Sequence, residues 1–431
     1  MTAQPAAAAS ADGGRISTRE AARRLGVKPE TVYAYVSRGL LGSRRAAGGR
    51  GSTFDPGEVA ALARRGRPAP AAPGTPAGPA TGDGSDTAGG GWSRIRTGIT
   101  LIEGDRYYFR GVDATALAAT YSYEEVAEWL WTGELRRGFR LTAPEQPLAA
   151  ARRAAGSLPA GSGPMDRIRV ALIAAAVADP LRFDLSRDAV LGTARNLIPV
   201  LVDALPRIGP PQPDSARLSR RLWSGLTGRR PDEPSLRALD TALALLIDHD
   251  LAASTMAVRV AASARAHPYA VVSAGLGALE GPLHGQASAL AHRLLTEVLE
   301  RGGAGPVVAE YLRAGRHLPG LGHLLYRGED PRARLLFARL AEVPAAADAL
   351  AAARDVADTA AGHRPLHANV DLALAVLSVS SGMPAEAGET VFSVARTAGW
   401  IAHALEEYAE PAMRMRPSGS YDGPRPPRPL P

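Results

Sequence analysis

"GPLHGQAS", residues 281–288, sets His284 between a Gly-Pro turn and the run "ALAHRLLTEVLERG", whose apolar spacing predicts a helix. Gly281 and Gly285 permit the turn and Pro282 sets it. The positive end of a helix dipole disfavours an imidazolium, so His284 is expected to be a neutral ring. Four further stretches of the second half hold polar residues in apolar or turn settings: "DHDLAASTMAVRV" (248–260), "LPGLGHLLYRGEDPRA" (318–333), "ANVDLALAVL" (368–377), and "VFSVARTAGWIAHALEE" with "MRMRPSGSYDGP" (391–424). Other chemistries fall away. No cysteine is present, which excludes thiolate catalysis, disulfides and sulfur-bound zinc. "HRPLH" has ligand-like spacing, but Pro365 breaks the helix that would align its histidines. "GLGALEG" (275–281) follows no strand and its third glycine is misplaced for a dinucleotide loop. His267, His292, His317, His363, His367 and His403 read as surface or capping residues.

The elements that must position these groups are helical. "SYEEVAEWLWTGEL", "MDRIRVALIAAAVADP" and "LRALDTALALLIDHDLAASTMAVRVAASARA" all show helical periodicity, with Gly and Pro between them. "GITLIEGDRYYFRG" alternates like a short hairpin. Strands do not alternate with helices, which argues for an all-α domain rather than a parallel sheet. A chain of 431 residues is expected to form two or more domains, one of them holding most of it. Neither an export signal nor eighteen uninterrupted apolar residues occur, so a soluble cytoplasmic protein without membrane contact is expected.

The net charge of +7 is localised: residues 1–68 hold twelve Lys/Arg against five Asp/Glu, and the rest of the chain is neutral. That is the footprint of a polyanion-binding module joined to something else. Within residues 15–66, Ser17 and Glu20 form a capping box, Gly26 ends the first helix, and Pro29 opens a second whose apolar stripe is Val32, Tyr35 and Val36. "SRRAAGGRGSTF" reads as a basic hairpin, and Asp55 and Pro56 start a third helix. About fifty residues here resemble the winged helix-turn-helix of mercury-resistance-regulator (MerR) type proteins. The resemblance implies DNA binding, with Arg38, Arg44, Arg45 and Arg50 on phosphates and Glu30, Thr31 and Tyr33 facing the groove. A protein-docking adaptor is the alternative. Residues 67–92, rich in Pro, Gly and Ala, read as a linker.

Taken in order, the five segments of the second half resemble the citrate synthase family. The likeness includes "TGITLIEGDRYYFRGVDATALAATYSYEEVAEWLWTGEL" from residue 97 and spans essentially everything after the linker. It implies an all-α citrate synthase fold over 93–431, with a large subdomain at about 93–278 and 377–431 and a small one at about 279–376. It also implies a Claisen condensation of acetyl-CoA with oxaloacetate that needs no metal and no cofactor beyond the acyl-CoA substrate. By the same likeness Asp371 is the base, His284 stabilises the enolate, and His323 donates to the ketone. His249, Arg332 and Arg396 bind oxaloacetate, and Arg416 is contributed across a homodimer interface. Apolar Val370, Leu372 and Leu374 supply the desolvation that makes Asp371 basic. Four positions depart from the family pattern: Ala252 and Ser288 stand where asparagine is usual, Gln286 replaces glycine, and Ala368 replaces proline. Propionyl-CoA, giving 2-methylcitrate, is a close variant. The rival expectation is a DNA-binding regulator that uses the fold as a sensor of CoA esters or oxaloacetate.

Overall fold

The computed structural model describes residues 15–25, 27, 29–37, 41–45, 52–65, 95–281, 284–326, 328–363, 366–415 and 422–423. It divides into two compact units, Met1–Ala88 and Gly89–Pro431. The expected linker at 67–92 lies outside the described residues.

The first unit carries helices Thr18–Leu25, Pro29–Ser37 and Pro56–Arg65 and three short strands, Ile16–Ser17, Ser43–Arg45 and Ser52–Phe54. The Ser52–Phe54 strand lies in the middle of an antiparallel sheet. Ser17 Oγ accepts from Glu20 N at 3.3 Å, which is one half of the expected capping box. The Glu20 carboxylate turns instead to Arg23 and Arg24 at 2.6 and 2.8 Å, its neighbours on the next turn. Asp55 Oδ1 caps the third helix by accepting from Gly57 N and Glu58 N. A small core of Ala21, Ala22, Val32, Leu41, Phe54 and Val59 holds the unit together.

In the second unit the alternating stretch forms one antiparallel sheet of Thr100–Glu103, Arg106–Phe109 and Val112–Asp113. It is a hairpin with a third short strand, and helices make up the other regular structure apart from an isolated bridge. The 23-residue helix Ala387–Ala409 runs through the core and is buried on nearly every side. A helix apolar all round can only be stable when surrounded. Helices Arg187–Asp203, Glu233–Leu245, Ala253–Ser263 and Pro268–Leu279 pack against it. Close approach needs missing side chains. A Cβ at Gly275 would lie 2.8 Å from the Trp400 ring, so this glycine of "GLGALEG" serves helix packing rather than a nucleotide loop. A Cβ at Gly399 would stand 2.1 Å from the Ile247 carbonyl, which presses the central helix against the segment that carries His249.

A buried polar chain crosses the same contact. Arg259 donates through Nε to Glu407 at 2.7 Å and through Nη1 to Glu406 at 2.7 Å, and Nη1 also lies 2.7 Å from His403 Nδ1. Arginine only donates, so His403 Nδ1 accepts and its Nε2–H donates to Asp248 Oδ1 at 3.2 Å. Thr100 donates to the other Asp248 oxygen at 2.5 Å. His403 is therefore wholly buried, not a surface residue as its helical spacing suggested, because the helix bearing it has no outer face. No helix among the described residues is long and apolar enough to cross a membrane.

Candidate active site

The segment after helix Ala304–Arg313 and the one before helix Val370–Ser380 are bridged antiparallel at Leu321 and Ala368. Gly322 N donates to His367 O at 2.7 Å, and Asn369 N donates to Gly320 O at 2.9 Å. Asn369 closes the clasp: Nδ2 donates to Gly322 O at 2.8 Å, while Oδ1 accepts from Asp371 N at 3.0 Å and so caps the helix. Gly320 and Gly322 sit at φ +81° and +80°, and a Cβ on Gly320 would meet Leu372 at 2.8 Å. Only glycine fits that turn without strain. The clasp brings His323 to the same cleft as Asp371, 48 residues onward by number.

A cleft of about 790 Å³ opens there, lined by His249, His284, His323, Arg332, Asp371 and Arg396 among others. Asp330 receives Arg332 Nε and Nη2 at 2.9 and 2.8 Å and also caps the Arg332 helix. Burial opposes the charge of Arg332, but the Asp330 carboxylate outweighs it and holds the guanidinium above its usual pKa. Arg396 is 1 % exposed and donates Nε to Leu246 O at 2.8 Å, while Nη1 and Nη2 have no hydrogen-bond partner among the described residues. Burial pushes its pKa down to about 10 against the pull of Asp248, so it stays charged at neutral pH. An unpaired buried cation with two free donor groups fits an incoming carboxylate.

The imidazoles are neutral. Burial first, and Arg396 second, push His284 down to about 4. Burial and then Arg332 push His323 to about 4 as well. His249 falls well below its usual value through burial, Arg332 and Arg396. His323 Nδ1 accepts from Leu325 N at 3.0 Å, which puts its proton on Nε2. His284 Nε2 lies 2.8 Å from Ser254 Oγ, and the Phe392 ring stands 5.8 Å from its own. Asp371 is raised to about 6, by burial chiefly, with Arg332 opposing and Asp330 reinforcing the rise. No cluster of three His, Asp or Glu among the described residues is arranged to hold a metal ion.

Six of the seven residues singled out in the second half thus line one cleft, and the seventh, Arg416, lies outside the described residues. His284 differs in one respect. The helix after it is Ala287–Arg301 with Gln286 at the N-cap, so the ring belongs to the preceding turn, closed by Gly285 N donating to Leu279 O at 2.8 Å. Its low pKa comes from burial and Arg396 rather than from a helix end. His317, read as a surface residue, also lines the cleft, at its exposed rim. His267 caps a helix by accepting from Ala270 N, as expected. Ser254, Asp330 and Tyr326 went unnoticed in the sequence, although "EDPR" is a readable helix start in which Asp330 caps and Pro331 follows. In the N-terminal unit Arg44 is exposed and Thr31 half-buried; Arg38 and Arg50 lie outside the described residues, as do the side chains of Glu30, Tyr33 and Arg45.

A carboxyl group raised to about 6 lines one cleft with neutral imidazoles and a buried guanidinium inside a helical fold, a set suited to acid–base chemistry on an anionic ligand. Comparison with known proteins narrows the class. The family described as citrate synthase, C-terminal domain, matches residues 90–418. The citrate synthase of Haloferax volcanii is 31 % identical over 351 residues, covering 75 % of this chain and 92 % of the relative. That of Acidithiobacillus ferridurans is 29 % identical over 347 residues, covering 73 % and 89 %. The crystal structure of citrate synthase from Thermotoga maritima aligns with a TM-score of 0.63 at 26 % identity, covering 79 % of this chain and 97 % of that one. A ternary complex of the Thermoplasma acidophilum citrate synthase with carboxymethyl coenzyme A and oxaloacetate shares the fold, with a TM-score of 0.65 at 24 % identity and coverage of 79 % and 97 %. The chain belongs to the citrate synthase family and is an enzyme of that family.

The departures have local structural roles. Ser288 is buried against Gly388, where a Cβ would approach it to 2.7 Å. Ala368 forms the bridge with Leu321. Ala252 is the N-cap of helix Ala253–Ser263 and lines the cleft without any side-chain cap. Ala252→Asn should therefore supply the missing acceptor and stabilise the protein by about 0.5–2 kcal/mol, read as a rise in denaturation midpoint. An unchanged or lowered midpoint would show that the helix start has no room for the amide.

Proposed function

We propose that the chain condenses acetyl-CoA with oxaloacetate, giving citrate and CoA. The observation that carries this reading is the meeting of Asp371, neutral His284 and His323, and unpartnered Arg396 in one cleft. Arg396 and Arg332 take the carboxylates of oxaloacetate, with His249 beside them. Asp371, ionised above about pH 6, removes a proton from the methyl group next to the thioester carbonyl. His284 donates a hydrogen bond to the enolate oxygen, which a neutral ring can do without giving up its proton. The enolate carbon attacks the ketone carbon, and His323 Nε2–H serves the oxygen as it becomes an alkoxide. Water then cleaves the thioester to release CoA. No cofactor besides the acyl-CoA substrate is called for. Propionyl-CoA would follow the same path to 2-methylcitrate.

We read the working unit as a homodimer, with Arg416 reaching the partner's cleft. Ile173, Val177, Leu181 and Phe183, on helix Pro164–Ala178 and the turn after it, are 59–75 % exposed, a large apolar face for a second copy to cover. The N-terminal unit is read as a nucleic-acid module, on the strength of its localised positive charge and of the exposed Arg44. Arg38, Arg45 and Arg50 complete its phosphate contacts, with Glu30, Thr31 and Tyr33 toward the bases.

Three measurements test these readings. Purified protein with acetyl-CoA and oxaloacetate should release free thiol, Asp371→Ala should lose at least about a hundredfold of that rate, and kcat/KM should fall about tenfold per unit below pH 6. The sign follows from the base, active only as carboxylate, while the imidazoles stay neutral down to about 4. No thiol release from acetyl- or propionyl-CoA would favour a sensor. Light scattering should give twice the 44.9 kDa chain mass, and Val177→Asp should halve it; a monomeric wild type would refute the dimer. Affinity for duplex DNA should drop about a hundredfold between 50 and 200 mM salt, on the basis of roughly four phosphate contacts, and vanish on deletion of residues 1–68. Binding of protein alone, with none to DNA, would make the unit an adaptor.

A further inference from the structure

Tyr326 stands in the segment between His323 and Arg332, is 4 % exposed, and plays no part in the steps above. It touches three of the cleft's polar groups at once. Its Oη lies 2.7 Å from His249 Nε2, its ring packs on that of His323 at 4.9 Å, and the Arg332 guanidinium stands 5.8 Å from the ring centroid. His249 is boxed in further by the edges of His323 at 5.2 Å and Tyr107 at 5.8 Å.

The direction of the 2.7 Å bond follows from counting protons. Burial raises Tyr326 above the usual phenol value, so the hydroxyl keeps its hydrogen. His249 Nε2 is the one acceptor that the described residues offer to that hydrogen. Were the imidazole to donate instead, a buried hydroxyl hydrogen would be left without a partner, an arrangement folded proteins avoid. His249 is neutral and owns a single N–H. With Nε2 accepting, the proton sits on Nδ1, which makes no hydrogen bond among the described residues and belongs to a ring that lines the cleft.

We infer that Tyr326 is a positioning residue that fixes His249 as the Nδ1–H tautomer and so presents it to the 2-oxo acid as a donor; the identity of that ligand rests on the function proposed above. His249 Nδ1–H, His323 Nε2–H and the free Nη groups of Arg396 then form a surface of donors only. A polycarboxylate offers only acceptors, and the other His249 tautomer would set a lone pair against it.

Tyr326→Phe keeps the ring packing and deletes the hydroxyl. The expected result is a KM for oxaloacetate raised about tenfold, the worth of one such hydrogen bond, with kcat within about twofold. In [15N]histidine-labelled wild type, long-range proton–nitrogen spectra, assigned by comparison with His249→Gln, should place the His249 proton on Nδ1. The Phe variant should show both nitrogens sharing it. A wild-type His249 protonated on Nε2, or a tautomer indifferent to the substitution, would overturn the inference. A lowered KM would do the same, because the hydroxyl would then be competing with substrate. Wild type that turns over no acyl-CoA refutes the proposed reaction and leaves the spectra to decide the tautomer.

Discussion

One buried carboxylate, Asp330, joins the two halves of the chemistry. Its oxygens accept from Arg332 N, Nε and Nη2 and from Val370 N, all within 3.0 Å. A side chain that caps one helix, orients the guanidinium on that helix and grips the first amide of helix Val370–Ser380 leaves Arg332 and Asp371 no independent freedom. Burial would neutralise such a group, and the Arg332 charge keeps it ionised. Its own charge then adds to the burial that holds Asp371 near 6. The Leu321–Ala368 bridge and the Asn369 cap do for His323 what Asp330 does for Arg332.

The two cleft arginines also act on the imidazole rings around them. Each adds to the burial that strips charge from an imidazole: Arg396 for His284, Arg332 for His323, and both for His249. In the proposed reaction an imidazolium at His284 or His323 would protonate what it should only stabilise. In that reaction the cations that attract the anionic substrate would thereby also keep the hydrogen-bond donors from becoming acids.

The helical class and the hairpin near residue 100 were legible from local cues of periodicity and turn residues, whereas the cleft residues were legible through the likeness of their motifs to the citrate synthase family. Asp371 stood out among Val370, Leu372 and Leu374, and its helix begins one residue before it. Contacts made across the fold left no such trace. Tyr326 reaches His249 over 77 residues, Ser254 reaches His284 over 30, and His403 reaches Asp248 over 155. His403 looked like a surface histidine because helical spacing names a face without saying what covers it, and this helix is covered all round. The Gly-Pro turn holding His284 was legible in the sequence, but its length was not: the helix after it begins at Ala287, three residues beyond the ring.

The unpartnered Nη groups of Arg396 bear on more than recognition. A desolvated cation whose two donor groups find no partner among the described residues is costly to bury, and an anion entering the cleft would offset that cost. Occupancy and conformational robustness are therefore linked: at a ligand concentration a hundredfold above its dissociation constant, mass action alone adds about 2.7 kcal/mol to the folded state. Under the reaction proposed above, scarcity of the 2-oxo acid would leave the protein both idle and closer to unfolding, so that supply of substrate would also govern how long the catalyst lasts.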